Sequence, residues 1–219
     1  MRPAKKLFLI LALLIIAVMF LFTRELRKAF DITTETETRP IVSENTANTF
    51  LVDKSDYVLG NPGADLNIII FGDFSCAKCR EVYTTVSALV RSHPQDIRLV
   101  WKGAPIGGIF TRGNFLPHQA AYCAGRQNKS FEFMELLMAD KHNLSEAGLK
   151  KAAEGLKLNE NAWWQCSNSE EAKNKVTDSV SLFDALDLRT LPALFVNNKL
   201  LNTDADINLE EILLSFIKK

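Results

Sequence analysis

The strongest chemical feature of this sequence is a pair of cysteines three residues apart, in the segment Cys76-Ala77-Lys78-Cys79. Two cysteines in the first turn of a helix are close enough to form a disulfide that closes a small loop. Free amide groups and the positive end of the helix dipole favour a thiolate there, and Lys78 and Arg80 add positive charge. Thiol pKa values in such places fall to roughly 3.5–7.5. The pattern predicts thiol–disulfide exchange, with Cys76 attacking and Cys79 resolving.

Three other uses of such a cysteine pair fit the sequence less well. A zinc site needs a second pair of ligands, and His93, His118 and His142 show no ligand spacing. A c-type haem site needs a histidine directly after Cys79, where this chain has Arg80. A structural disulfide usually closes a longer loop. The sequence therefore predicts no metal and no cofactor.

Two strands and one helix are predicted to position the cysteines. Residues 66–71 form a short β-branched run, typical of a buried strand. From Ser75 to about Ser92, apolar residues recur every three or four positions, as on one face of a helix. Residues 97–101 again have the composition of a buried strand. A strand, a helix and a strand within this length predict a βαβ unit with parallel strands.

The rest of the chain is predicted to complete one α/β domain with a helical insertion at about residues 115–187. Short helices are expected at residues 120–125, 131–138, 145–154 and 160–166, and a longer one from about Ser169. A hairpin is expected at residues 192–201, and a last amphipathic helix at 209–217.

The N-terminus predicts a membrane attachment. Residues 7–22 are sixteen apolar residues without a charge, and basic residues flank them on both sides. We interpret residues 1–30 as an uncleaved signal-anchor; a cleaved signal peptide and a buried core helix are the alternatives. Residues 31–56 are rich in Thr, Glu, Asn and Ser and predict a flexible linker, which leaves residues 57–219 for the domain. We expect a single-pass protein of the inner (cytoplasmic) membrane, with its domain on the periplasmic or extracytoplasmic side.

The charge distribution argues against nucleic acid as a partner. The chain has 26 basic and 26 acidic residues, but the first thirty residues hold six basic and one acidic. The remainder is therefore net acidic, which does not suit binding to a phosphate backbone.

Two blocks of the sequence resemble the DsbA family of the thioredoxin superfamily. The segment IIIFGDFSCAKCR (residues 68–80) is similar to that family's strand–CxxC–helix region, and residues 188–199 are similar to its cis-proline strand. The resemblance covers about residues 57–219 and includes anchored members. It implies a thioredoxin fold with an inserted helical subdomain and a cis Pro192 beside the disulfide. It also implies that the backbone of Leu191 hydrogen-bonds an extended substrate.

The sequence departs from this family at two places near the cysteines. Many members have Pro-His or Pro-Tyr between the cysteines, where this chain has Ala77-Lys78, and Lys78 offers only a flexible charge. Many also have a glutamate six residues before the first cysteine, where this chain has Ile70. Asp73 matches an acidic position of the anchored members. It is predicted either to modulate the cysteines or to cap the helix.

Cys123 and Cys166 are the two remaining cysteines, both in the predicted insertion. In an oxidising compartment an even set of four suggests a second bridge, and some family members have cysteines at both places. Two buried free thiols are the alternative.

The function predicted first is a membrane-anchored oxidase that passes the Cys76–Cys79 disulfide to reduced exported client proteins. A quinone-linked membrane protein of the DsbB type would reoxidise it. A disulfide isomerase or reductase, and a non-catalytic membrane-tethered chaperone, are the alternatives.

Overall fold

A computed structural model of the chain describes residues 14–23, 51–105, 107, 113–201 and 208–217. These residues fall into two units, which we describe separately. The first is a helix at residues 14–23 with exposed apolar side chains. No helix within the described ranges is both long enough and apolar enough to cross a membrane. Part of the predicted membrane segment, residues 7–13, lies outside them, and the anchor stays a prediction.

The second unit alternates strands and helices in the order expected of an α/β domain. Its described strands are β1 (Val58–Gly60), β2 (Leu66–Gly72), β3 (Ile97–Gly103), β4 (Ala193–Val196) and β5 (Lys199–Leu201). Its described helices are α1 (Ala77–Ser92), α2 (Leu116–Gly125), α3 (Ser130–Ala139), α4 (Glu146–Gly155), α5 (Glu160–Ser167), α6 (Glu170–Ala185) and α7 (Leu209–Ile217), with a short 3-10 helix at Lys141–Leu144. Helices α2–α6 lie between β3 and β4 in the chain, as the predicted insertion does.

The strands form one mixed sheet in the order β1-β3-β2-β4-β5. β2 and β3 are parallel and joined by α1, whereas β4 runs antiparallel to both β2 and β5. The predicted βαβ unit and hairpin are therefore confirmed. All seven residues of β2 are buried, which explains why residues 68–71 form an apolar run instead of alternating with polar residues.

The side chains of β2 divide between two cores on opposite faces of the sheet. Ile68 and Ile70 belong to the core that includes α1, α7 and much of the insertion. Ile69 and Phe71 belong to the second core, which includes Phe183 of α6. This alternation follows from the two-residue period of a strand. It fixes the end of β2, and therefore the start of α1, in the middle of the domain.

The insertion has its own buried anchor and a covalent link. Trp163 of α5 is 1% exposed, and its indole N–H donates to the carbonyl oxygen of Ala120 in α2 at 2.9 Å. A disulfide joins Cys123 of α2 to Cys166 of α5, with their Cα atoms 5.8 Å apart. The structure thus pairs the two cysteines that the sequence left open, and the bridge fastens α5 onto α2.

One strand was not predicted from the sequence. β1 has only three residues, too few to show a periodicity, and its pairing with β3 defines it. Gly60 ends the strand with φ +89°, and a Cβ there would lie 2.2 Å from the carbonyl oxygen of Ile97. Glycine is needed here for both the conformation and the close approach.

The predicted linker ends earlier than residue 56. Its residues 31–50 lie outside the described ones, but Leu51 is 4% exposed and packs in the second core. The side chain of Asp56 is 2% exposed and forms ion pairs with Lys102 of β3 at 2.5 Å and Lys175 of α6 at 2.8 Å. The polar composition of this segment indicated solvent exposure. The sequence did not reveal that Asp56 is buried, because its partners Lys102 and Lys175 are distant in the sequence.

Candidate active site

The two cysteines at the start of α1 form a disulfide, with Cα atoms 5.2 Å apart. Cys76 is the N-cap residue of α1, and its Sγ accepts a hydrogen bond from the backbone N–H of Cys79 at 3.1 Å. Cys76 is partly exposed, whereas Cys79 is fully buried. The first turn of α1 contains no acidic side chain. An attacking thiolate from outside can therefore approach Cys76, and Cys76 lies where the helix dipole favours a negative sulfur.

A tight turn from Asp73 to Cys76 delivers the chain from β2 into α1. The carbonyl oxygen of Asp73 accepts from the N–H of Cys76 at 3.1 Å. The carboxylate of Asp73 accepts from both the N–H and the hydroxyl of Ser75, each at 2.8 Å. The guanidinium of Arg80 donates to the carbonyl oxygens of Phe74 and Ser75 at 3.2 Å. These bonds hold Cys76 at the helix start.

The Asp73 carboxylate faces a buried histidine. Asp73 is 7% exposed, and its Oδ1 lies 3.8 Å from Nε2 of His118 in α2, an ion-pair distance longer than a hydrogen bond. Burial raises the pKa of Asp73, but His118 and the two hydrogen bonds from Ser75 outweigh it, so the net pKa is lowered. The carboxylate is therefore held in its charged form. Since α1 begins at Ala77, Asp73 bonds within the preceding turn and does not cap the helix itself.

The loop before β4 completes the site on the other side of the disulfide. The peptide bond between Leu191 and Pro192 is cis. The carbonyl oxygen of Leu191 lies 4.0 Å from Sγ of Cys76. Pro192 is buried, while Leu191 is partly exposed. The structure thus brings the two residues implied by the family resemblance next to the partly exposed Cys76, although Cys76 and Leu191 are 115 positions apart in the sequence.

Lys78, a predicted modulator, has a different environment from Arg80. Its ammonium group pairs with Glu81 one turn further along α1 at 2.9 Å, and its side chain is 52% exposed. An exposed pair of this kind has a small net effect on its surroundings. Arg80, whose guanidinium binds the active-site turn, is the basic residue that the structure ties to the cysteines. The modulating role of Lys78 stays a prediction.

Several residues near the cysteines have roles that sequence alone did not reveal. Ile70 is fully buried in the core. His118 was notable in the sequence only as a histidine without ligand spacing. Its ring stacks on Phe74 with a centroid distance of 4.4 Å. Phe74 also stacks on Trp101, at 5.5 Å, so these aromatic side chains pack against one another beside the site.

Comparison with known families identifies the domain. The family model described as Thioredoxin matches residues 53–218. Among curated proteins, the "Na(+)/H(+) antiporter NhaA 1" of Mycolicibacterium gilvum is 27% identical over 146 residues, which are 66% of this chain and 24% of that protein. This chain spans about a quarter of the length of the curated relatives that it matches. The antiporter name describes those proteins as wholes.

Comparison with solved structures agrees on the fold. A thioredoxin-like oxidoreductase from Silicibacter pomeroyi has a TM-score of 0.65 and 24% identity, covering 77% of this chain and 95% of its own. The thiol-disulfide exchange protein alpha-DsbA2 from Wolbachia pipientis has a TM-score of 0.64 and 18% identity, covering 76% of this chain and 87% of its own. At these identities the likeness establishes a thioredoxin fold.

Proposed function

This chain belongs to the thioredoxin family, and from that membership we propose that it is a thiol–disulfide oxidoreductase that introduces disulfides into exported proteins through Cys76 and Cys79. One observation carries the proposal. A partly exposed cysteine caps the helix, its buried partner lies one turn inward, and a cis-proline loop lies beside them. In this arrangement the sulfur of Cys76 is accessible to client proteins, whereas the sulfur of Cys79 is buried.

The proposed exchange transfers two electrons from a client to the cysteine pair. A client thiolate attacks Sγ of Cys76, the Cys76–Cys79 bond breaks, and Cys79 leaves with the bonding electron pair and takes up a proton. A second client thiolate then attacks the client sulfur of this mixed disulfide. Cys76 leaves as a thiolate, and the client is left with a new disulfide. The backbone of Leu191 is proposed to hold the client in an extended form.

The environment of Cys76 favours the oxidising direction. The helix N-terminus stabilises the Cys76 thiolate, which makes it a good leaving group and stabilises the reduced pair. A disulfide whose reduced form is stabilised is a stronger oxidant. We therefore expect a reduction potential near or above about −150 mV, measured against glutathione. A value below roughly −220 mV would exclude the oxidase and favour an isomerase or reductase.

Trapping of mixed disulfides tests the exchange itself. In Cys79→Ala, Cys76 has lost its resolving partner, and we expect covalent, reductant-sensitive adducts with client proteins. The matched control is Cys76→Ala, which leaves only the buried Cys79 and should trap far fewer clients. Equal trapping by both variants would contradict the assignment of Cys76 as the attacking sulfur. Full cellular function of Cys76→Ala would instead favour a non-catalytic tethered chaperone.

The location and the redox partner are further parts of the proposal. The apolar segment 7–22 with its basic flanks supports an anchor in the inner membrane with the domain outside the cytoplasm. A DsbB-type, quinone-linked membrane protein is proposed to take the two electrons from the reduced pair. Labelling of Cys76 in whole cells by a membrane-impermeant thiol reagent should succeed after reduction. Labelling only after lysis would contradict the proposed side of the membrane.

A further inference from the structure

The active-site turn itself carries a buried charge, the Asp73 carboxylate. The hydrogen bond from the N–H of Cys76 to the carbonyl oxygen of Asp73 defines a β-turn. The Cα atoms of the two residues in such a turn lie within about 7 Å. The Asp73 side chain is 10% exposed. Because water screens a buried charge poorly, we expect the carboxylate of Asp73, in the turn that ends at Cys76, to influence the Cys76 sulfur.

His118 is the group placed to offset that charge. Its side chain is 3% exposed, and neither ring nitrogen has a hydrogen-bond partner within the described part of the chain. Nε2 lies 3.8 Å from Oδ1 of Asp73. The ring is fixed by its stack on Phe74 and by the backbone of Gly103, where a Cβ would lie 2.4 Å from Nδ1. These two contacts hold the imidazole next to Asp73.

The other charges around His118 are paired among themselves. A cavity of about 50 Å³ adjoins the histidine and is also lined by Asp56, Lys175 and Tyr57. The carboxylate of Asp56 pairs with Lys102 and Lys175, and Lys175 also pairs with Asp53 at 3.8 Å. Burial raises the pKa of Tyr57 to about 12, and that of Tyr122 is also raised by burial, so both phenols are neutral. Asp73 is therefore the charged group with which His118 interacts.

We infer that Asp73 and His118 form an electrostatic pair that sets the thiol pKa of Cys76 and, through it, the oxidising strength of the disulfide. The inference rests on the proposed function and names the residues that tune the oxidising strength of its disulfide. The negative charge of Asp73 opposes the Cys76 thiolate, and the His118 ring that faces this carboxylate offsets that opposition. Asp73 and His118 are positioning residues, since they act through Cys76.

The test is the thiol pKa of Cys76 in the reduced full-length chain, followed by the ultraviolet absorbance of the thiolate against pH. Asp73→Asn keeps the acceptor for Ser75 and removes the charge, so the acid dissociation constant of Cys76 should rise roughly three- to thirtyfold. His118→Gln removes the ring that faces Asp73 and should lower the acid dissociation constant of Cys76. The equilibrium constant with glutathione should move in the same directions.

Asp140→Asn and His142→Gln are the matched controls. Asp140 accepts from the N–H of His142 at the 3-10 helix of the insertion, so the control pair has the same residue types at the surface. Neither control should change the Cys76 titration. Shifts of the same sign in Asp73→Asn and His118→Gln, or no shift in either, would overturn the inference. The thiol pKa does not depend on client transfer, so failure of the proposed function would appear separately, as absence of mixed disulfides in Cys79→Ala.

Discussion

At the scale of single residues, burial and the helix start give the two cysteines unequal roles. Cys76 caps α1 and is partly exposed, whereas Cys79 lies inside the core. Their covalent chemistry is the same, so the difference in nucleophilic access comes from position alone. Asp73 also acts as a single residue: its buried carboxylate affects the free energy of unfolding, and we infer that it affects the thiol pKa of Cys76.

Asp73 predicts a pH dependence of stability. Its pKa is lowered in the folded chain, so it stabilises the fold above the ordinary carboxylate pKa of about 3.9. That contribution is lost as the pH falls through the lower folded value, because the unfolded chain takes up the proton first. We expect the free-energy difference between the native chain and Asp73→Asn to shrink on going from about pH 5 to pH 2. Chemical denaturation at several pH values measures it; a constant difference would contradict the prediction.

At the scale of elements, the insertion is held by a covalent bond and a buried tryptophan. Helices α4, α5 and α6 each begin at a capping side chain, namely Ser145, Asn159 and Ser169. These caps define where each short helix starts. The Cys123–Cys166 bridge then joins α2 to α5, and Trp163 fills the space between them. The insertion is thus stabilised independently of the redox pair.

Removal of the bridge predicts a loss of stability without a change in redox chemistry. The bridge spans a sequence separation of 43 residues, and a loop of that length stabilises by about 4 kcal/mol in the chain-entropy model. In Cys123→Ala with Cys166→Ala, we expect the free energy of unfolding to fall by about 2–4 kcal/mol. The reduction potential of Cys76–Cys79 should stay unchanged. A shift of that potential, measured against glutathione, would show that the bridge itself takes part in exchange.

At the scale of the whole molecule, the segment before β1 ties together parts of the domain that are far apart in sequence. Asp56 joins the N-terminal segment to β3 through Lys102 and to α6 through Lys175. Leu51 adds an apolar contact to the second core. The predicted boundary at residue 57 would therefore cut away part of the folded domain.

Loss of the buried carboxylate predicts strong destabilisation. In Asp56→Asn, Lys102 is left buried without a negative partner, and we expect the free energy of unfolding to fall by about 3–5 kcal/mol. Asp53→Asn is the matched control, since Asp53 is 63% exposed and lies 3.8 Å from Lys175; its effect should stay below about 1 kcal/mol. Asp56→Leu combined with Lys102→Met should recover part of the loss, since Lys175 then keeps only its pair with Asp53. Equal effects of the two single asparagine variants would contradict the buried ion pair.

The sequence by itself determined the local features of this protein. The apolar runs at residues 66–71 and 97–101 predicted β2 and β3, and the recurrence of apolar residues every three or four positions predicted α1, because burial of one helix face imposes that period. The spacing of Cys76 and Cys79 predicted the redox chemistry, since both sulfurs belong to one helical turn. The resemblance of residues 188–199 to a cis-proline strand implied Pro192 as part of the site. The thioredoxin fold expected from these blocks is confirmed by the family match over residues 53–218.

Only the tertiary structure decided which distant side chains meet. His118 faces Asp73, which is 45 positions away in the sequence. Asp56 forms ion pairs with Lys102 and Lys175, which lie still further along the chain from it. Neither contact leaves a periodic signal, because a buried ion pair requires only one residue from each element. The strand β1 likewise exists through its pairing with β3. Local pattern thus determined the elements and the reacting cysteines, and three-dimensional packing decided the charges that surround them, because electrostatic interaction depends on distance in space and not on separation along the chain.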